Sequence, residues 1–222
     1  MPRVGFFVSV EGIDGCGKTT QIRLLVERLA ALGLPTLFAQ EPGGTAIGRL
    51  IRSVLLDARN HGIEPMTELL LFFASRAQNL AEVIRPALDA GQVVVCDRFT
   101  DASVAYQGYG RGLGAASVQQ LSEVACGDLR PDLTLWLDIE PAAALARAGK
   151  RESGGSAGRD RMESEALEFF LRVQEGYAHM HADQPQRIRR IAADGSVSEV
   201  FERVMAAVLP ALEARGFVAR SE

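Results

Sequence analysis

The run Gly12-Ile13-Asp14-Gly15-Cys16-Gly17-Lys18-Thr19 fits G-x-x-x-x-G-K-[ST], a spacing whose chemistry is the holding of phosphate. Glycines let successive backbone N–H groups curl around an anion, and a helix opening at the lysine adds the partial positive charge of its N-terminus. Lys18 is long enough to reach β- and γ-phosphate oxygens, the Thr19 hydroxyl is a magnesium ligand by type, and Thr20 completes the nucleotide-binding run. A second chemical pair is Asp97-Arg98. A carboxylate suits Mg²⁺ or its waters, and a planar guanidinium suits a phosphoryl group. An ion pair between the two, capping a strand end, is the structural alternative.

These residues need particular elements to bring them together. The apolar, β-branched run Val4–Val10 reads as a buried parallel strand, and apolar positions at helical spacing from Lys18 to Leu32 read as a helix stopped by Gly33. The phosphate motif therefore has the strand before it and the helix after it that it requires. Further strands are expected at Leu34–Ala39, Gln92–Asp97, Leu133–Asp138 and Arg187–Ala192. Helices are expected at Ile47–Leu56, Glu68–Leu88 (bent or restarted by Pro86), Val118–Ala125, Ala142–Ala148, Glu163–Met180 and Val197–Leu212. Strands alternating with helices imply a five-stranded parallel sheet covered on both faces, a three-layer α/β fold of the P-loop NTPase type. In such sheets ligands bind at the carboxyl ends of the strands, which places Asp97 and Arg98 beside the phosphate loop.

With 222 residues and no linker or internal repeat, the chain reads as one domain, residues 1–222. A net charge of −4 argues against a general nucleic-acid coat, which needs a broad basic surface, but not against a small phosphorylated ligand. Three cysteines without metal-ligand spacing read as reduced thiols; with no secretory segment or apolar span, a soluble cytoplasmic protein is expected. His61, His179 and His181 carry no partner pattern and read as surface, and Trp136 reads as strand packing.

Phosphate binding alone does not separate a kinase from a regulatory GTPase or a motor. The chain lacks the N-K-x-D run that reads guanine. It resembles thymidylate kinases in the order of several short motifs. These are the phosphate loop with Asp14, Glu41-Pro42-Gly43-Gly44-Thr45, Phe72-Phe73-Ala74-Ser75-Arg76, Asp97-Arg98-Phe99, Ala105-Tyr106-Gln107-Gly108 and Asp160-Arg161-Met162-Glu163. The resemblance implies transfer of the ATP γ-phosphoryl group to dTMP with Mg²⁺, on the way to dTTP, by a homodimer. A kinase for a deoxynucleoside or another monophosphate is the nearest alternative.

By the same resemblance, Phe72 stacks on the thymine ring and Arg76, on the same helix face, contacts the base. Leu69, Phe72 and Phe73 would equally serve as a core stripe. Ser103 reads the base edge, Tyr106 packs under the deoxyribose, and Gln107 follows it into the pocket. Asp14 bonds the sugar 3′-hydroxyl or lies near the acceptor phosphate, and Glu41 and Pro42 edge the pocket. Gly108–Gly112 reads as a loop without assigned chemistry.

The Gly- and Ser-rich break at Gly149–Gly158 is bracketed by Arg147, Lys150, Arg151, Arg159 and Arg161, the composition of a mobile lid spanning about residues 147–162. No base occupies the variable phosphate-loop positions Ile13 to Cys16. The pattern resembles the bacterial subgroup whose catalytic arginines sit in the lid, with Arg151 favoured and Arg147 and Arg159 as alternatives. Gln40 stands where this family often has arginine, which removes one charge from the acceptor-phosphate site.

Overall fold

The computed structural model describes residues 4–152 and 160–218. Five strands form one parallel sheet: β1 (Phe6–Glu11), β2 (Thr36–Gln40), β3 (Val93–Asp97), β4 (Leu133–Asp138) and β5 (Ile188–Ala192), in the order β2-β3-β1-β4-β5. β1 and β4 are buried throughout, as continuous apolar runs in a doubly covered sheet must be. The register pairs Val10 with Asp97 and Gln40 with Asp97, so the carboxyl ends of three strands open side by side.

Helices α1 (Lys18–Ala31), α2 (Ala46–Leu56), α3 (Pro65–Asn79), α4 (Arg85–Asp89), α5 (Thr100–Ser103), α6 (Ala115–Cys126), α7 (Pro141–Glu152), α8 (Leu167–Asp183) and α9 (Val197–Ala214) connect or follow the strands. Alternation along β1 sorts the layers. Phe6 packs on Phe217 just beyond α9, whereas Phe7 packs on Phe99 and Glu11 meets Tyr177 of α8. α1 and α9 pack together on the first face; α8 lies on the second, against the chain that follows β3. α9 starts with a Ser196–Glu199 capping box and buries Val200, Val204, Val208 and Leu212 at four-residue spacing. Each such side chain contributes about 1.5–3 kcal/mol.

The largest departure from the sequence reading follows Arg98. Thr100–Ser103 is α-helical and Val104–Gly110 continues it as a wider π-type turn, so Gly108–Gly110 is helix, with both glycines buried, rather than loop. Packing on α8 overrides the poor local helix propensity. A β-carbon on Gly176 would meet Tyr109 at 2.8 Å, so glycine there lets the two backbones approach closely. A second π-type segment, Leu80–Ile84, joins α3 to α4 just before Pro86, where the ladder lacks a donor. α7 runs to Glu152, so the first four residues of the glycine-rich break are helical. α8 begins at Leu167 rather than Glu163, because Asp160 turns the preceding chain by accepting from the backbone N–H groups of Met162 and Glu163 at 2.8 and 2.9 Å.

Candidate active site

The phosphate loop leaves β1 and enters α1 with Gly12, Gly15 and Gly17 all at positive φ. At Gly15 a β-carbon would sit 2.1 Å from the Ala144 carbonyl oxygen of α7, so only glycine fits. Lys18 Nζ lies 3.0 and 3.2 Å from the Gly12 and Ile13 carbonyl oxygens and 3.4 Å from Asp14 Oδ1. Asp14 also accepts from Arg98 Nη2 at 2.9 Å. Burial alone would raise the Asp14 carboxyl, but the Arg98 and Lys18 charges outweigh it and hold the group well below the usual range. Asp14 is therefore ionised, and it fixes both cations of the loop region. Arg98 pairs with this residue and not with Asp97.

Arg98 is the one non-glycine at positive φ among the described residues, at 69°. Its strained backbone is held from both sides by β1. Arg98 N–H donates to the Val10 carbonyl at 3.1 Å, and Phe99 N–H donates to Glu11 Oε1 at 2.7 Å. The guanidinium lies over the Tyr106 ring and bonds its hydroxyl at 3.0 Å, while Nη1 is buried with no partner among the described residues. Burial keeps the Tyr106 phenol above its usual range, and so protonated, despite the opposing Arg98 charge.

A cavity of about 250 Å³ opens at the carboxyl end of the sheet. It is lined by Asp14, Gly15, Gly17, Lys18, Thr19 and Thr20 from the loop, and by Glu41, Pro42, Phe72, Arg76, Asp97, Arg98, Ser103, Tyr106 and Gln107. Gly12, Ile13 and Cys16 do not line it; Ile13 and Cys16 are buried beneath the loop. Asp97 Oδ1 is buried without a partner among the described residues, and Asp97 lines the cavity with Thr19, an arrangement that fits a magnesium ion or its waters.

Phe72 is half-buried and lines the cavity, whereas its neighbour Phe73 is core. Arg76 is 1% exposed. Nε donates to Glu41, Nη1 to Ser103 Oγ at 3.0 Å and Nη2 to the Phe99 carbonyl at 3.1 Å, which leaves two of its five N–H groups. Glu41, placed at the pocket edge by the sequence reading, is thus the buried anchor of Arg76, with Asn79 on its other oxygen.

The cations of the glycine-rich break divide. Arg161 is buried, bonded to the Leu55 carbonyl at 2.8 Å and to Glu68 at 2.7 Å, so it has a structural partner and is no free lid charge. Arg147 donates to the Ala193 carbonyl at 3.2 Å. Arg159 and the side chains of Lys150 and Arg151 lie outside the described residues. Of the histidines, His61 and His179 are exposed and His181 is half-buried, 2.8 Å from the Ile188 carbonyl; Trp136 is buried and stacked on Tyr177. All three cysteines are free and buried.

Three functional positions were not singled out from the sequence. Arg52 of α2 lines the cavity and donates to the Pro42 carbonyl at 2.8 Å, a cation on the side where Gln40 supplies none. It shares its helix with the polar residues Arg49 and Ser53, so no sequence signal set it apart. Glu11 is fully buried beneath Arg98, and Glu68 beneath Gln107; no short motif marks either.

The family model described as thymidylate kinase matches residues 10–204. A thymidylate kinase of Pelobacter propionicus is 49% identical over 207 residues, covering 93% of this chain and 94% of the relative. One from a Synechococcus species is 51% identical over 208 residues, covering 93% and 95%. A crystal structure of thymidylate kinase from Ehrlichia chaffeensis superposes with a TM-score of 0.74 at 29% identity, covering 92% of this chain and 98% of that one. With a phosphate loop, a facing Asp97-Arg98 turn and an aromatic pocket in one cavity, and with relatives matched over nearly their full length, the chain belongs to the thymidylate kinase family.

Proposed function

We propose that this protein transfers the γ-phosphoryl group of ATP to dTMP, giving dTDP and ADP. The observation that carries the reading is convergence: the phosphate loop, Arg98 and the Phe72–Arg76 pair all line one cavity. An oxygen of the dTMP phosphate attacks the γ-phosphorus in line, and the bond from that phosphorus to the bridging β-oxygen breaks. The acceptor oxygen is already anionic, so no general base is needed. Positioning and charge stabilisation supply the acceleration.

Loop N–H groups and Lys18 hold the ATP phosphates. Arg98, with its unpartnered Nη1, bridges toward the transferring group, and Arg52 supports the acceptor phosphate. Thr19 and Asp97 would hold Mg²⁺, which when bound draws charge from the β- and γ-phosphates. Phe72 stacks on thymine, Arg76, Ser103 and Gln107 meet its edge, and Tyr106 underlies the deoxyribose. Asp14 sets Arg98 and Lys18 at the point of transfer. The remaining positive charge is assigned to the lid arginines, Arg151 first, because no base stands at positions 13 to 16 of the loop.

The chain is read as one folded unit on the strength of its continuous hydrophobic core. A homodimer is supported by an apolar face on adjacent helices, with Ile47, Leu50 and Val54 on α2 and Met66 and Leu70 on α3 all exposed. Val124, 85% exposed on the neighbouring α6, extends it. A cytoplasmic location is supported by three unpaired thiols. Among the described residues, no helix is long and apolar enough to cross a membrane.

The test is ADP release from ATP and Mg²⁺ with dTMP, dUMP, dCMP, AMP and thymidine offered separately. Fastest turnover with dTMP is expected. Preference for thymidine or AMP would overturn the pocket assignment, and hydrolysis indifferent to every acceptor would overturn the kinase reading.

A further inference from the structure

Glu68, Phe72 and Arg76 stand at four-residue spacing on one face of α3. The latter two line the cavity; Glu68, one turn earlier, is 0% exposed and does not. Its carboxylate is surrounded by donors. Oε1 accepts from Gln107 Nε2 at 2.8 Å and from Arg111 Nε at 3.2 Å. Oε2 accepts from Arg111 Nη2 at 3.0 Å and meets Arg161 Nη2 at 2.7 Å. Burial pushes the group up, but the bonds from Arg111 and Gln107 and the charges of Arg111 and Arg161 outweigh it, leaving Glu68 below its usual range and ionised.

An ionised carboxylate has no proton to give. The Gln107 amide must therefore face Glu68 with its nitrogen, which turns its oxygen the other way. Among the described residues that oxygen has no hydrogen-bond partner, and Gln107 lines the substrate cavity. The edge of the base pocket at this point is thus a fixed acceptor. A free glutamine would offer either end, since the two orientations of an amide differ little in shape.

We propose that Glu68 is a specificity-positioning residue: by gripping Gln107 through its nitrogen, it commits the pocket to bases that present a ring N–H. This rests on the function proposed above. Thymine and uracil carry a proton at N3; cytosine carries a lone pair there, which would face the Gln107 oxygen acceptor to acceptor. Arg111 and Arg161 serve the same end by keeping Glu68 charged.

The test is the ratio of kcat/KM for dTMP to that for dCMP in wild type and in Glu68→Gln. In the variant, Arg111 and Arg161 draw the single amide oxygen of the new side chain, so its nitrogen faces Gln107. The Gln107 amide then inverts and shows a donor to the pocket. The dTMP-to-dCMP ratio is expected to fall at least about tenfold, as one mismatched buried hydrogen bond implies. A merely structural role lowers both substrates together, and an unchanged ratio overturns the proposal.

The double variant Glu68→Gln/Arg161→Met, which removes a buried cation with the buried anion, repeats the comparison if the single variant does not fold. Wild type supplies an independent arm in the binding of N3-methyl-dTMP. Loss of at least about tenfold in affinity relative to dTMP is expected, and equal affinity overturns the fixed acceptor. Wild-type turnover of dTMP separates the outcomes: its absence defeats the function reading, whereas its presence with an unchanged ratio defeats only the role of Glu68.

Discussion

Replacing Glu11 by glutamine keeps the shape of the side chain and an oxygen for Phe99 N–H, but removes a charge from the most enclosed part of the site. Glu11 is 0% exposed, and its pKa is raised from 4.5 to about 7. Burial is the main cause and the Asp101 charge the second; bonds from Ser9 and Phe99 and the Arg98 charge oppose them. The charged and titratable neighbours are Asp101 of α5, Arg98 after β3, Tyr177 of α8, Arg187 before β5, Cys96 of β3 and Arg76 of α3. A carboxyl whose folded pKa lies above its unfolded value contributes stability that is complete below about pH 4.5 and lost as pH rises through 7. A displacement of that size corresponds to about 3 kcal/mol lost by wild type across the window. Glu11→Gln does not titrate. Urea denaturation at pH 5, 7 and 8.5 should show the variant gaining on wild type with rising pH, by about 2.5 kcal/mol between pH 5 and 8.5. A stability difference that stays constant across those pH values would refute the reasoning and assign Glu11 to a permanently ionised state.

Arg151→Ala should lower kcat at least about a hundredfold while leaving the dTMP dissociation constant within about twofold, as loss of a charge acting on the transferring group implies; single-turnover kinetics and calorimetry separate the two. Arg76→Met leaves the Glu41 carboxylate buried without its ion pair and should cost about 3–5 kcal/mol in thermal or urea unfolding, whereas Arg76→Met combined with Glu41→Gln should recover much of that. Leu50→Glu, in the centre of the apolar face on α2, should convert a dimer to monomer by light scattering; an unchanged mass would place any interface elsewhere.

The phosphate loop was legible because its chemistry depends on consecutive residues, and β1, β3 and β4 because doubly buried strands are continuous apolar runs. Phe72 and Arg76 were reached through the family resemblance, with which their four-residue spacing on one helix face agrees. Thr100–Gly110 was not, since a segment with four β-branched or aromatic residues and two glycines becomes helical only by packing on α8. Glu68 with Arg111 and Arg161 was hidden for another reason. Its partners are 43 and 93 positions away, so an ordinary surface charge pattern in the sequence is a buried network in the fold. The same holds for Glu41, whose partner Arg76 is 35 positions on.

The most direct test of the central claim follows the phosphoryl group itself. ATP labelled at the γ-phosphate is incubated with the protein, Mg²⁺ and dTMP, and the products are separated. Label in the β-phosphate of dTDP, absent without dTMP, is the predicted result. Label released only as inorganic phosphate, or remaining in ATP whatever the acceptor, would contradict the account.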